Sequence, residues 1–309
     1  MNTATYKIVH TTTYQYGDTV PICHNEVHLN PRNSKWQECH SFRLNIRPHP
    51  EAVGRRTDYF ENIVHHFSIQ EGHRRLRVTA SSNVRVFSRG TILAEQSPAW
   101  ETVRDGIRLL EPDRLDAIQF VLDSPSVIAS AQLRQYAVPS FPAGRPILEA
   151  IRDLTARIFK DFKYDPRATT VNTPLEDVLK LRRGVCQDFA HLEIGCLRAL
   201  GLPARYVSGY LRTIPPPGKP RLIGADASHA WLSVYCNELG WVDVDPTNNC
   251  FPNLDHITVA WGRDYRDVCP VNGVFVGGGA HSMSVSVDVE PVDEPEPLNS
   301  IDDIAASTI

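Results

Sequence analysis

Residues 182–211 read RRGVCQDFAHLEIGCLRALGLPARYVSGYL, and the fold turns on this stretch. Phe189, Leu192, Cys196, Leu197 and Leu200 recur at helical spacing and line one helix face. Gly201 follows the last of them and Pro203 comes next but one, a helix stop. ARYVSGYL then changes to a strand pattern. Cys186 stands at the head of the helix, where unpaired amides and the positive end of the macrodipole favour a thiolate. The same amides can donate to an oxyanion once a carbonyl is attacked. Gly184 permits a tight turn that presents the sulfur. The plain alternative is a helix-start cysteine without a role, and the chemical reading requires a base and an orienting group elsewhere.

Both lie downstream. His229 opens the strand HAWLSVYC, and Asp245 closes the strand GWVDVD just before Pro246-Thr247. Adjacent antiparallel strands bring the start of one near the end of the next. Cys186, His229 and Asp245 would then form a thiol triad in which the imidazole carries the proton and the carboxylate fixes its tautomer. Asp243, two residues earlier on the same strand face, is the rival carboxylate. The Pro/Gly-rich loop TIPPPGKPRLIGADAS, residues 213–228, reads as a lid.

Upstream, Pro146 suits a helix first turn, with Ile147, Ile151, Leu154 and Ile158 at helical spacing. Thr173-Pro174-Leu175-Glu176 matches a capping box, and that helix ends where its apolar stripe stops at Arg182. Residues 1–95 are strand-like: YKIVHTTTYQY, SFRLNIRP, YFENIVHHFSI and HRRLRVTASSNVRVF are rich in β-branched and aromatic residues. The sequence thus predicts an antiparallel β-domain (1–95), a mixed connecting region (96–144), a region of helices followed by strands that carries the candidate catalytic residues (145–288), and an acidic, disordered tail (289–309).

The chain has 309 residues and a net charge of −4, which gives no reason to expect nucleic acid or an anionic membrane as partner. It shows no membrane-length apolar run and no signal-peptide pattern at the N-terminus, so a cytoplasmic location is expected. Its seven cysteines show no C-x-x-C spacing and read as reduced thiols. Cys23, His24 and His28 have no second ligand cluster, and no acidic calcium loop is visible, so neither a metal nor another cofactor is expected.

The run RRGVCQDFAHLEIGCLRALGLPARYVSGYL, followed by SHAWLSVY and GWVDVDPTNN, resembles the core of the bacterial transglutaminase-like superfamily. YKIVHTTTYQYGDTV with HNEVHLNPR resembles the β-rich N-terminal region found with these cores, and residues 255–289 resemble their C-terminal stretch. The resemblance implies a papain-like α+β core and acyl transfer through a thioester. It puts Cys186, His229 and Asp245 on the family's three catalytic positions, and the Pro-Thr after Asp245 favours it over Asp243. The expected activity is hydrolysis of amide bonds in a protein or peptide, with transfer of a glutamine acyl group to an amine as the alternative. A catalytically idle binding module is the reading from another class. Asp188 and His191 are candidates for substrate contact or for helix capping and a polar helix face. Trp231 shares the strand face of His229, as a wall of the acyl site or a core aromatic, and Tyr164 is a candidate cleft residue.

Overall fold

The computed structural model describes residues 2–90, 93–109, 114–213 and 227–293. The chain opens with β1 (Thr3–Val20), β2 (Ile22–Val27), β3 (Gln37–Arg47), β4 (Val53–Thr57), β5 (Ile63–Ile69) and β6 (His73–Phe87). Helices α1 (Trp100–Ile107), α2 (Leu115–Ile118), α3 (Ala131–Ala137) and α4 (Ile147–Asp161) follow. The short β7 (Lys163–Tyr164), α5 (Leu175–Leu181) and β8 (Arg183–Gly184) lead into α6 (Cys186–Ala199). Then come β9 (Ala204–Leu211), β10 (Ala227–Tyr235), β11 (Trp241–Val244), β12 (His256–Gly262), β13 (Val271–Val276) and β14 (His281–Val292). The strands form three four-stranded sheets, ordered β14-β1-β6-β3, β13-β2-β5-β4 and β11-β10-β9-β12, with β7 and β8 as a separate pair. No helix among the described residues is long and apolar enough to cross a membrane.

Helix α6 lies between the β11-β10-β9-β12 sheet and helices α3, α4 and α5. The sequence marks one apolar face on α6. The structure buries nearly its whole circumference, because it has protein on both sides. Polar positions on the other face find partners inside the protein: Thr155 Oγ1 donates to Glu193 Oε1 at 2.8 Å, with Glu193 Oε2 left unpartnered among the described residues, and Arg198 donates to the carbonyls of Phe120, Ala204 and Arg263. Burial pushes the Glu193 carboxyl up to about 8, which favours its neutral form.

Local punctuation follows the sequence in part. Gly201 takes φ +81° at the end of α6, and Arg182 takes the left-handed cap of α5 with φ 55°. Thr173 does not cap α5. Its Oγ1 accepts the Thr170 amide at 2.8 Å, closing a turn, and Pro174 occupies the cap position instead. Pro146 likewise stands one residue before the first turn of α4.

The chain ends depart from the expected boundaries. β14 pairs antiparallel with β1 from Thr5↔Val292 to Tyr16↔His281, and β13 pairs with β2. Residues 271–288, read from sequence as part of the core, therefore complete the two N-terminal sheets. Strand periodicity says that a segment is a strand but not which edge it joins. β14 carries residues 289–292 of the expected tail; residues 294–309 lie outside the described residues, as do 214–226 of the expected lid.

The sheet containing β1 serves two cores. Tyr6 and Ile8, with Val84, Val86, Val287 and Val289, join the cluster built around α6. Tyr16 and Val20, with Leu76, Val78 and Ala80, join a second cluster with Cys23, Phe67 and Ile69. Each large side chain fully buried this way contributes about 1.5–3 kcal/mol, so the N-terminal sheet is anchored to the α6 core along one half of its length.

Candidate active site

Cys186 is the first residue of α6, after the extended Val185. Asp188, three residues on from the cap, turns back and accepts the Val185 amide at 2.8 Å and the Thr169 hydroxyl at 2.6 Å through Oδ2. This is a capping role and satisfies two donors at the helix start. Gly184 matters for a different reason than a left-handed turn: a Cβ there would lie 2.5 Å from Asp188 Oδ2, so only glycine lets the carboxylate in. The β7–β8 pair, with Tyr164 opposite Gly184, holds the approach to the cysteine in place.

β10 and β11 bring the other two residues together. Their register, Leu232↔Val244 to Tyr235↔Trp241, leaves Asp245 just beyond the end of β11 and alongside the His229 end of β10. His229 Nε2 lies 2.7 Å from Asp245 Oδ2, and both side chains are buried. His229 and Cys186 line the same cavity, and with Nε2 engaged by Asp245, Nδ1 is the nitrogen left for the sulfur. Burial alone lowers the imidazole, but the hydrogen bond and charge of Asp245, with Cys186 alongside, outweigh it and hold it up at about 10. Burial raises the Asp245 carboxyl, yet hydrogen bonds from His229 and His256 hold it well below the usual carboxylate range.

Two further side chains fix Asp245 and were not singled out in the sequence. His256, which opens β12, places Nε2 3.0 Å from Asp245 Oδ2, and Asn248 donates Nδ2–H to the same oxygen at 2.7 Å. The amides of Thr247 and Asn248 donate to Oδ1 at 2.9 and 3.2 Å. The Pro246-Thr247-Asn248 turn thus aims its donors at the carboxylate that precedes it. His256 carried one signal, a polar residue opening an apolar strand, but only the β9–β12 pairing carries it to Asp245. His229, Asp245 and His256 are also the group of described residues close enough to share a metal ion. The 2.7 Å contact is a direct hydrogen bond; two ligands at about 2.0–2.1 Å from a tetrahedral zinc would stand further apart.

Trp231 lies on the same face as His229, with ring centroids 6.0 Å apart, and meets His256 edge-on at 5.3 Å. Its ring lies over Gly209, where a Cβ would come within 2.4 Å of it. Asp243 shares that face but is committed elsewhere: it accepts from Trp231 Nε1 at 3.2 Å and from Ser233, and pairs with Arg89 at 2.7 Å. His191 does not reach the cleft. Burial lowers it to about 4, and its Nε2 accepts the Tyr265 amide at 3.1 Å, so it positions the segment carrying Tyr265. Tyr164 is half exposed beside Gly184; partial burial and the Cys186 charge raise its phenol.

Cys186 and His229 open onto a cavity of about 250 Å³. Tyr206 and Tyr265 line it from the α6 half, and His10, Thr12, Met283 and Val285 line it from the β1–β14 sheet. The N-terminal strands thus form one wall of the cleft.

The comparisons agree with this architecture. The model of the bacterial transglutaminase-like N-terminal region matches residues 6–85, and that of the transglutaminase-like superfamily matches residues 135–246. An uncharacterised protein of Mycobacterium tuberculosis is 44% identical over 296 residues, covering 93% of this chain and 92% of that protein. Protein-glutamine gamma-glutamyltransferase of Pseudomonas aeruginosa is 32% identical over 126 residues, 36% of this chain and 19% of that protein. The crystal structure of a candidate cysteine protease from Cytophaga hutchinsonii has the same fold, with a TM-score of 0.74 at 21% identity over 96% of this chain and 93% of that one. With both regions matched in order and the fold shared along its length, the chain belongs to the transglutaminase-like superfamily and carries the bacterial transglutaminase-like N-terminal region.

Proposed function

We propose that the protein is a cysteine-nucleophile acyl-transfer enzyme that hydrolyses amide bonds in a protein or peptide, with Cys186, His229 and Asp245 as its catalytic residues. The observation that carries this reading is that Cys186, at the head of α6, lines one cavity with His229, whose Nε2 is hydrogen-bonded to the buried Asp245. The sulfur of Cys186 attacks the amide carbonyl, and amides at the start of α6 stabilise the oxyanion. His229, held protonated, gives its proton to the leaving amine as the C–N bond breaks and a thioester remains. Water then attacks the thioester while His229 takes back a proton, and the acid leaves with Cys186 restored. Asp245, itself held by His256 and Asn248, keeps the ring oriented throughout. No metal enters these steps, and the unpaired cysteines suit the reducing cytoplasm in which we place the enzyme.

A second reading replaces water by an amine. It is favoured by the likeness to protein-glutamine gamma-glutamyltransferase over part of the chain. The test is turnover of a peptide library by the purified protein with a labelled primary amine present. Release of acid, abolished in Cys186→Ala and unaffected by EDTA, is the expected result. Amine incorporation exceeding hydrolysis would establish the second reading. A Cys186 inert to iodoacetamide near neutral pH would point instead to an idle binding module.

A further inference from the structure

One face of β1 carries Tyr6 and Ile8 into the α6 core and Tyr16 into the second cluster. Between them stand His10 and Thr12, which are polar yet only 1% and 2% exposed. A wall built for packing alone would be apolar there. His10 Nδ1 lies 3.1 Å from the Tyr210 hydroxyl, and His10 Nε2 lies 3.0 Å from Thr12 Oγ1.

The protons set the direction of this relay. Burial lowers the His10 imidazole to about 4 and pushes the Tyr210 phenol well up. At neutral pH His10 therefore has one N–H and Tyr210 keeps its O–H. Tyr210 is 2% exposed, and among the described residues His10 is the hydrogen-bond partner of its hydroxyl. The phenol must donate to Nδ1, or a buried donor is left unmade. The proton of His10 is then on Nε2 and is donated to Thr12 Oγ1. Thr12 retains a hydroxyl proton with no acceptor among the described residues, in the wall of the cavity that Cys186 and His229 share. Its cross-strand neighbour Val285 and the next pair, Tyr14 and Met283, extend that wall.

We propose that Thr12, oriented by His10 and Tyr210, donates a hydrogen bond to a carbonyl oxygen of the acyl donor, so that the N-terminal sheet selects an uncharged segment there. The proposal deepens the acyl-transfer reading and rests on it. Among the described residues no carboxylate lines the cavity, and Val285 and Met283 flank Thr12 with apolar surface, so an ammonium group would lose water there without gaining a counter-charge and is disfavoured.

Binding to the Cys186→Ala protein tests this without any turnover, so a failure of the chemistry is seen separately in the intact enzyme. N-acetyl-glutamine amide and N-acetyl-lysine amide are titrated as uncharged and cationic probes. The uncharged probe is expected to bind more tightly. Thr12→Val should weaken it about three- to tenfold, the range for one neutral hydrogen bond, and Thr12→Ser should restore it. Equal affinity in Thr12→Val, or equal affinity for the two probes, would overturn the proposal. Nitrogen-15 NMR of the unsubstituted protein gives a second check: the His10 proton is expected on Nε2, and a proton on Nδ1 would reverse the relay and remove the donor.

Discussion

At the scale of single residues, the two aspartates of β11 and its end show how chemistry is divided. Asp243 and Asp245 are two apart in sequence, and strand geometry alone puts them on one face. Their partners separate them. Asp243 is neutralised by Arg89 and tied to Ser233 and Trp231, whereas Asp245 meets His229, His256 and Asn248. The pairing has a consequence for stability. His229 is raised to about 10 in the folded protein from an ordinary value of 6.5. Between these values the folded chain holds a proton that the unfolded chain has lost, so stability falls as pH rises. The contribution is complete below about pH 6.5 and gone above about pH 10. Asp245 works from the other side: its depressed carboxyl stabilises above the ordinary range near about 3.9 and stops doing so as pH falls through the folded value. Melting temperature measured from pH 6.5 to 10 should therefore fall more steeply in the wild type than in His229→Gln. Parallel curves would show that His229 carries no such pair.

At the scale of elements, α6 depends on its first turn. Asp188 caps the helix, its Oδ2 accepting from the Val185 amide and the Thr169 hydroxyl. Removing it in Asp188→Ala should destabilise the fold by about 0.5–2 kcal/mol, the usual cost of losing a helix cap. Asn at this position should recover part of that, because its side-chain oxygen still accepts. Chemical denaturation of the two variants checks both statements, and an unchanged midpoint in Asp188→Ala would leave the cap without a role. The existence of α6, its cysteine at the head and its stop at Gly201 were all legible from contiguous residues. The burial of Glu193, His191 and Arg198 was not, because periodicity reports one apolar face and cannot register helices packing on the other.

At the scale of the whole molecule, the N-terminal sheet and the α6 core are not separable pieces. β14 closes on β1, and Val287 and Val289 sit in the α6 cluster beside Tyr6 and Ile8. A fragment beginning at residue 145 would expose that apolar surface and leave β13 and β14 without partners. It should be insoluble or inactive, and intact chain should unfold in one transition. A soluble fragment with full activity would contradict this.

The sequence by itself determined the strand-rich start, the helix headed by Cys186, and the residue types of the thiol site. Those signals are local: spacing, caps and short motifs lie in contiguous residues and need no partner to be read. Only the tertiary structure decided that β13 and β14 return to the N-terminal sheets, that His256 and Asn248 hold Asp245, and that His10 and Thr12 face Cys186 across a cavity. Each of these depends on which strand edges pair and in which register, and that is set by the packing of segments far apart in the chain.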